Sequence, residues 1–250
     1  MTGTIKTTTM LLLLTILATS TLQLFDIKAA QAINGSVIYG TPGIMAANEA
    51  GNTTNTCSAI RYYFSLTGDY IYLENYCGAN TQNYNVYSVA NYLETYNGGY
   101  NFATTFYKGD SVWIQPGYPP YYGSYNHSLL YDNDGGGTND RIYDAEIGAR
   151  TVNGRHDFVF LWTCGMANEG QIGGTDGSYT WGMAYSWLKR TNLNLNGYTQ
   201  ADGSRHCYIG FQYYSKPFAD YTGWYNCIYA SFANVFYYEA LVNGRTINAH

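Results

Sequence analysis

The sequence has few charged residues and no surplus of basic ones. Charged residues make up 12% of the 250 residues, and 12 basic against 17 acidic side chains give a formal net charge of −5. Nucleic-acid-binding proteins carry a basic surplus or basic runs, so we exclude nucleic acid as a partner. Disordered chains combine many charges with few aromatic residues, whereas 18% of this chain is aromatic.

Two further patterns are missing. The sequence contains no Cys-x-x-Cys or histidine-rich spacing, which argues against a structural zinc site. Beyond residue 32 it has no apolar run long enough to cross a bilayer. What it does contain is 29 Tyr and 28 Gly, a composition that indicates a weakly charged globular domain with one core at this length.

The first 32 residues have the pattern of a secretory signal peptide. Lys6 precedes an apolar run at residues 10–18 (MLLLLTILA), and residues 30–32 (AQA) form an A-x-A cleavage pattern. We therefore predict a secreted or cell-surface protein with no membrane contact after cleavage. An earlier cleavage near Ala18 and a retained membrane anchor are the alternatives.

An odd number of cysteines leaves one thiol over in an oxidising compartment. Cys57 with Cys77 and Cys207 with Cys227 are local disulfide candidates of equal spacing, although sequence cannot prove the connectivity. This pairing leaves Cys164 free. A free thiol is either a buried, inert side chain or a nucleophile.

Strands and helices alternate along most of the chain. Residues 33–60 show no clear period and are predicted to be an N-terminal extension, with a short β ornament as the alternative, which places the domain at residues 61–250. The order of elements predicts an α/β fold with helices on both faces of the sheet. The chain ends soon after its last predicted helix, so truncation of a final element is also an expectation. Predicted strands cover 69–76, 102–107, 157–163 and 207–214, and predicted helices cover 83–96, 141–148, 181–188 and 228–242.

Cys164 follows the continuous apolar run DFVFLWT (residues 157–163), which is typical of a central strand covered on both faces. Ligands bind at the carboxyl ends of strands in open α/β sheets, so the thiol is a candidate nucleophile. A buried cysteine that ends a core strand is the alternative reading.

A nucleophilic cysteine needs a histidine base within reach. His156 begins the strand that Cys164 ends, roughly 26 Å away at about 3.3 Å per residue. His206 begins the next strand, and if that strand is parallel, it too lies at the amino end. Because His250 is terminal, elimination favours His127, for which a solvated loop histidine is the alternative.

These residues resemble the caspase-like cysteine peptidases, the family of caspases, gingipains, clostripain and legumain. In that family a His follows one strand. The next strand is an apolar run that leads directly into the nucleophilic Cys, often as a pair such as Cys-Gly. Here His127 and Cys164 stand in that order, followed by Tyr214-Ser215, Trp224, and Ser231-Phe232 at the start of a helix. The resemblance is greatest to secreted, gingipain-like prokaryotic members.

The resemblance implies a caspase-like three-layer sandwich with a mostly parallel central sheet. It also implies a secreted endopeptidase of peptide or protein substrates that requires no cofactor. Cys164 would attack the scissile carbonyl, His127 would protonate the leaving amine, and the backbone N–H groups of Cys164 and Ser128 would hold the oxyanion. Ser215 and Trp224 would help to form the substrate pocket.

Three features depart from the family pattern. Ser128 stands where the family has Gly, the sequon at Asn126 would place a glycan beside His127, and the gap between the predicted strand at 102–107 and His127 is long.

An acidic residue at the base of the substrate pocket would favour basic substrates, and nothing in the sequence selects between Asp176 and Asp220 for this position.

Two other interpretations stay open. Asp132, Asp134 and Asp140 are weak calcium candidates in a turn-rich segment, but the EF-hand spacing fails because residue 143 is Tyr, and a solvated turn is the alternative. The chain could also be an inactive surface or structural protein of the same fold that self-assembles or contacts glycans. A carbohydrate-binding β module is disfavoured by the apolar strand and the amphipathic helices.

Overall fold

The computed structural model describes residues 34–96, 100, 102–114, 127–135, 140–166, 182–188, 206–211, 214–221 and 228–245. The chain divides into two compact units, Met1–Ala32 and Ile33–His250, and every described residue belongs to the second. In these described segments, no helix is both long and apolar enough to span a membrane.

The described residues form eight strands and five α-helices. The strands are β1 (Asn34–Gly40), β2 (Tyr70–Asn75), β3 (Phe102–Lys108), β4 (Ser111–Ile114), β5 (His127–Tyr131), β6 (Arg141–Tyr143), β7 (His156–Trp162) and β8 (Cys207–Ile209). The helices are α1 (Ala47–Thr67), α2 (Asn83–Thr95), α3 (Asp144–Arg150), α4 (Met183–Leu188) and α5 (Tyr229–Leu241).

Five strands form a central sheet in the order β2-β1-β3-β7-β8, and each neighbouring pair is parallel. All their amino ends therefore lie at one edge, which we call the amino edge, and all their carboxyl ends lie at the other, the carboxyl edge. Between β3 and β7 the chain forms a small antiparallel sheet in the order β4-β5-β6.

Helices cover both faces of the central sheet. Successive side chains of a strand point to opposite faces, and β1 follows this rule: Val37 and Tyr39 pack with α2, α3 and α4, whereas Ile38 packs with α1 and α5. Burial on both faces explains why β7 is continuously apolar from Phe158 to Trp162. The α/β prediction of a mostly parallel sheet between two helical layers is confirmed.

The prediction of an N-terminal extension at residues 33–60 is wrong. In the structure, β1 lies between β2 and β3 in the middle of the central sheet, and α1 contributes to the core. The segment lacked a clear period because several of its buried side chains are polar, among them Ser36, Thr53 and Thr56. The domain therefore includes β1, and residue 61 is too late a start.

The other predicted elements agree with the structure apart from their boundaries. The apolar run before Cys164 is β7, and the predicted helices at 83–96 and 228–242 are α2 and α5. The predicted helix at 141–148 begins later, because its first three residues form β6 and pair with β5. The predicted strand at 207–214 is shorter, since β8 ends at Ile209.

Candidate active site

Cys164 lies at the carboxyl edge of the central sheet, two residues beyond the end of β7. Its neighbour Thr163 is fully buried, while Cys164 itself is only half-buried. Gly165 then adopts a left-handed backbone conformation with φ of 68°. Residues other than Gly adopt this conformation only at a cost in conformational free energy. The chain therefore turns sharply away from the sheet directly after the thiol.

Two hydroxyl groups hold this turn against the start of β4. The Ser111 hydroxyl donates a hydrogen bond to the carbonyl oxygen of Cys164, and the Thr163 hydroxyl donates one to Ser111 Oγ at 3.0 Å. These bonds connect residues more than 50 positions apart. They connect the backbone at Cys164 to the segment that follows β3, so the position of the thiol is fixed by the surrounding structure.

Ser215 lies beside the thiol. Its Oγ is 3.7 Å from Cys164 Sγ, a distance within the range for a hydrogen bond that involves sulfur. Ser215 belongs to a described segment at residues 214–221, which we call the 214–221 loop. The structure thus brings together the predicted nucleophile and one of the two predicted pocket residues, whereas Trp224 lies outside the described residues.

The 214–221 loop is held by β7 and by a buried carboxylate. The indole N–H of Trp162 donates a hydrogen bond to the carbonyl oxygen of Lys216 at 2.9 Å. Glu49 on α1 accepts hydrogen bonds from the backbone N–H groups of Phe218 and Ala219, each at 2.7 Å. The loop is therefore fastened on both sides of Pro217.

Glu49 also pairs with a buried lysine at the end of β3. Lys108 Nζ lies 2.9 Å from Glu49 Oε1, and both residues are less than a tenth exposed. Burial by itself raises the pKa of a carboxyl group, but the hydrogen bond and charge of Lys108 and the two loop amides outweigh it, so the pKa of Glu49 is lowered. The carboxylate is therefore ionised at neutral pH.

His127 and Ser128 lie in the small antiparallel sheet, and their side chains are outside the described part of the structure. The backbone of His127 pairs with Ile114, at the opposite end of the β4–β5 ladder from Ser111. Three residues of strand separate Ile114 from Ser111, which is about 10 Å. The Cys164–His127 dyad and the Ser128 oxyanion contact therefore stay predictions.

Of the three histidines eliminated on sequence grounds, His156 and His206 lie at the amino edge, and His250 is outside the described residues. β8 runs parallel to β7, with Cys207 opposite Phe158, so the expected position of His206 is confirmed. His206 Nδ1 lies 2.7 Å from a carboxylate oxygen of Asp157. His156 is fully buried, and burial lowers its pKa to about 4. Neither ring is placed to serve Cys164.

The cysteines of the proposed local pairs are partly described. Cys57 on α1 and Cys77 after β2 are free thiols that both lie against the Cα of Gly40. Burial raises the pKa of the Cys57 thiol. Cys207 is also a free thiol, while its candidate partner Cys227 lies outside the described residues. Both disulfides stay predictions.

The acidic segment considered for calcium has a structural use for its first carboxylate. Asp132 Oδ2 accepts the N–H of Asn83 at the start of α2, and its Oδ1 accepts the N–H of Asp134. Burial, with Asp140 and Asp134 nearby, raises the pKa of Asp132. Among the described residues, no group of three or more His, Cys, Asp or Glu side chains is arranged to hold a metal ion. Asp176, one of the two acidic pocket candidates, is not described, and Asp220 is an exposed residue one position before the end of the 214–221 loop.

A cavity of about 540 Å³ lies away from Cys164, on the α1 and α5 face of the sheet. Its walls are mostly apolar and come from α1, from the beginnings of strands and from α5; they include Phe64, Tyr70, Phe102, Phe158, Cys207 and Leu241. The cavity therefore belongs to the amino edge and does not serve the thiol.

Sequence reasoning missed the buried pair Glu49–Lys108 and the hydroxyl of Ser111. A usable signal was present for Lys108, because it ends the strand FATTFYK in a chain with very few charges. Glu49 offered no such signal, since its partners stand 59 and 169 residues further along the chain. Compared with known proteins, the chain matches no protein-family model and no curated protein.

Proposed function

We propose that the protein is an exported cysteine peptidase that hydrolyses peptide bonds through an acyl-enzyme on Cys164. The observation that carries this proposal is the position of the thiol. It is half-buried at the carboxyl edge, directly beyond a central parallel strand, with a serine hydroxyl 3.7 Å away. Ligands of open α/β sheets bind at that edge.

The proposed chemistry follows from these groups. The thiolate of Cys164 attacks the carbonyl carbon of the scissile bond, and His127 donates a proton to the amine nitrogen as the C–N bond breaks. A water molecule, deprotonated by His127, then attacks the thioester and releases the acid. Backbone N–H groups at Cys164 and Ser128 would hold the oxyanion, and Ser215 and Trp224 would contact substrate. The scheme uses no metal or cofactor.

The architecture supports the assignment to the caspase-like peptidases without identifying the family. A parallel sheet between two helical layers is the fold that the resemblance implies, and such folds carry many unrelated activities. The local arrangement is more specific. The backbone of Cys164 is held by hydrogen bonds through Ser111 and Thr163. The thiol lies beside a loop that is hydrogen-bonded to Trp162 and Glu49.

A second candidate is an inactive surface or structural protein with the same fold. β3 is the neighbour of β7, but it ends in Lys108 rather than leading into a histidine, and His127 belongs to a different sheet. The 214–221 loop also carries two strongly exposed aromatic side chains, Tyr214 (87%) and Tyr221 (70%). Exposed tyrosine rings suit contact with glycans or with other copies of the chain.

Peptide hydrolysis by the purified protein tests the proposal. A mixture of unlabelled peptides, sequenced before and after incubation, requires no knowledge of the cleavage site. We expect hydrolysis by the wild type, and a loss of at least about 10³-fold in Cys164→Ala because the nucleophile is removed. His127→Ala should lose about 10²–10⁴-fold. Cys207→Ala is the matched control, because it removes a thiol at the amino edge.

The result separates the two candidates. Equal hydrolysis by wild type and Cys164→Ala would show a contaminating peptidase and contradict the proposal. An absence of hydrolysis, together with binding of the wild type to a glycan array or its assembly into larger particles, would establish the second candidate.

A further inference from the structure

Glu49 is one of several buried charged residues in the described part of the chain, and it is the one that accepts hydrogen bonds from backbone N–H groups of the 214–221 loop. It lies in the first turn of α1 and is 8% exposed. Both carboxylate oxygens are in use: Oε1 accepts from Lys108 Nζ at 2.9 Å and from the Phe218 N–H at 2.7 Å, and Oε2 accepts from the Ala219 N–H at 2.7 Å. One side chain thus joins α1, the end of β3 and the 214–221 loop.

Lys108 contributes a second contact to the same loop. Its ammonium group lies 5.2 Å from the centroid of the Phe218 ring, close enough for a cation–π interaction. Phe218 is fully buried, and its ring packs edge-to-face against Trp162, the last residue of β7, with 4.9 Å between the ring centroids. The pair therefore holds both the backbone and the side chain of the loop.

A buried ion pair is a costly way to hold a loop. Desolvation of the two charges cancels most of their attraction, and apolar residues of similar volume often stabilise a protein as well or better. The gain here is directional, because a carboxylate can accept two successive backbone N–H groups while an apolar residue cannot. Those two groups lie three and four residues beyond Ser215.

We propose that the Glu49–Lys108 pair positions the 214–221 loop so that Ser215 lies on the Cys164 thiol, which makes Glu49 a positioning residue for substrate access to that site. Only the link to substrate rests on the proposed peptidase function. The effect on the loop and on the thiol can be measured without any catalytic activity.

The experiment compares Glu49→Gln with a double variant, Glu49→Leu with Lys108→Met. The double variant removes both charges together, so it is the one expected to keep its fold if Glu49→Gln does not. Glu146→Gln is the matched control, since it removes an exposed carboxylate that pairs with Arg150 on α3. Circular dichroism verifies that each variant is folded.

Two readouts follow the loop and the thiol separately. Hydrogen exchange of the Phe218 and Ala219 amides should accelerate by about tenfold or more in both test variants, because their acceptor is weakened or lost. Alkylation of Cys164 by iodoacetamide, followed on its own peptide by mass spectrometry, should accelerate by about threefold or more as Ser215 moves away. The control should match the wild type in both.

Each outcome decides the proposal. Unchanged amide exchange in a folded double variant would overturn it, and so would faster exchange with unchanged alkylation of Cys164. If the wild type hydrolyses peptides, Glu49→Gln should raise KM more than it lowers kcat, and the reverse pattern would overturn the link to substrate access. If the wild type hydrolyses nothing, the peptidase function fails while the exchange and alkylation results still decide the positioning of Ser215.

Discussion

The two edges of the central sheet each bury a glutamate that accepts two backbone N–H groups. At the carboxyl edge, Glu49 binds the amides of Phe218 and Ala219. At the amino edge, Glu94 is fully buried and binds the amides of Asn153 and Arg155, both at 2.8 Å, in the turn that leads into β7. Both carboxylates therefore fasten a loop to the sheet.

The edges differ in the basic group beside the carboxylate. Glu49 faces Lys108 in a short ion pair, whereas Glu94 lies 3.8 Å from His156, whose burial lowers its pKa to about 4. At neutral pH the carboxyl edge therefore contains a charged pair, and the amino edge contains a neutral imidazole. The charged pair contacts the loop beside the candidate nucleophile, whereas Glu94 contacts the turn that leads into β7 at the other edge.

The largest effect should follow removal of one partner of the charged pair. Lys108→Ala leaves the Glu49 carboxylate buried without its cation, so we expect a loss of about 3–5 kcal/mol in the free energy of unfolding. Urea denaturation measures it. The double variant Glu49→Leu with Lys108→Met should be more stable than Lys108→Ala, and the opposite order would show that the hydrogen bonds from the loop amides to Glu49 outweigh the cost of its unpaired charge.

The amino edge should make stability depend on pH. Between about pH 6.5 and about pH 4 the unfolded chain binds a proton at His156 that the folded protein does not bind, so stability falls as the pH falls through this range. The shift corresponds to up to about 3 kcal/mol. His156→Phe keeps a ring against Trp187, which lies 5.0 Å away, and should flatten the profile. Identical pH profiles for both proteins would contradict the account.

The turn after Cys164 should show a smaller effect. Gly165→Ala places a side chain at φ of 68°, which costs about 1–2 kcal/mol. Gly51→Ala is the matched control. Gly51 lies inside α1 with open space around its Cα, so the substitution should stabilise the protein by about 0.5–1 kcal/mol. Thermal denaturation of the two variants should therefore shift in opposite directions.

The smallest effect should come from an exposed ion pair. Arg150 and Glu146 pair on the surface of α3, so Glu146→Gln should change stability by about 0.5 kcal/mol or less. A loss comparable to that of Lys108→Ala would show that burial does not distinguish the pairs. Urea denaturation at two salt concentrations gives the free energy of unfolding of Glu146→Gln and of Lys108→Ala under the same conditions.

The sequence predicts the fold best where apolar side chains meet a regular period. β7 and α2 were predicted from such patterns and are present in the structure. β1 and α1 were missed, because their buried positions include Ser, Thr and Cys side chains that conceal the period. These polar residues are buried because segments far apart in the sequence pack against them, and not because of their local propensity.

The candidate site was predictable only in part for a related reason. Cys164 follows a continuous apolar run, so its position at the carboxyl edge could be inferred from local sequence. Ser215 came from the family resemblance, and the structure places it 3.7 Å from the thiol. The contacts of Ser111 and Glu49 join segments that are far apart in the sequence, so no local sequence pattern predicts these contacts.

The proposed function requires the Cys164 thiol at the carboxyl edge to be a substrate-accessible nucleophile. The most direct measurement is mass spectrometry of the intact protein after reaction with a peptidyl chloromethyl ketone, followed by peptide mapping. We predict a single adduct on Cys164, which forms more slowly after unfolding in urea and in His127→Ala. Adducts spread over Cys57, Cys77 and Cys207, or a rate at Cys164 no faster in the folded protein than in the unfolded one, would contradict the account.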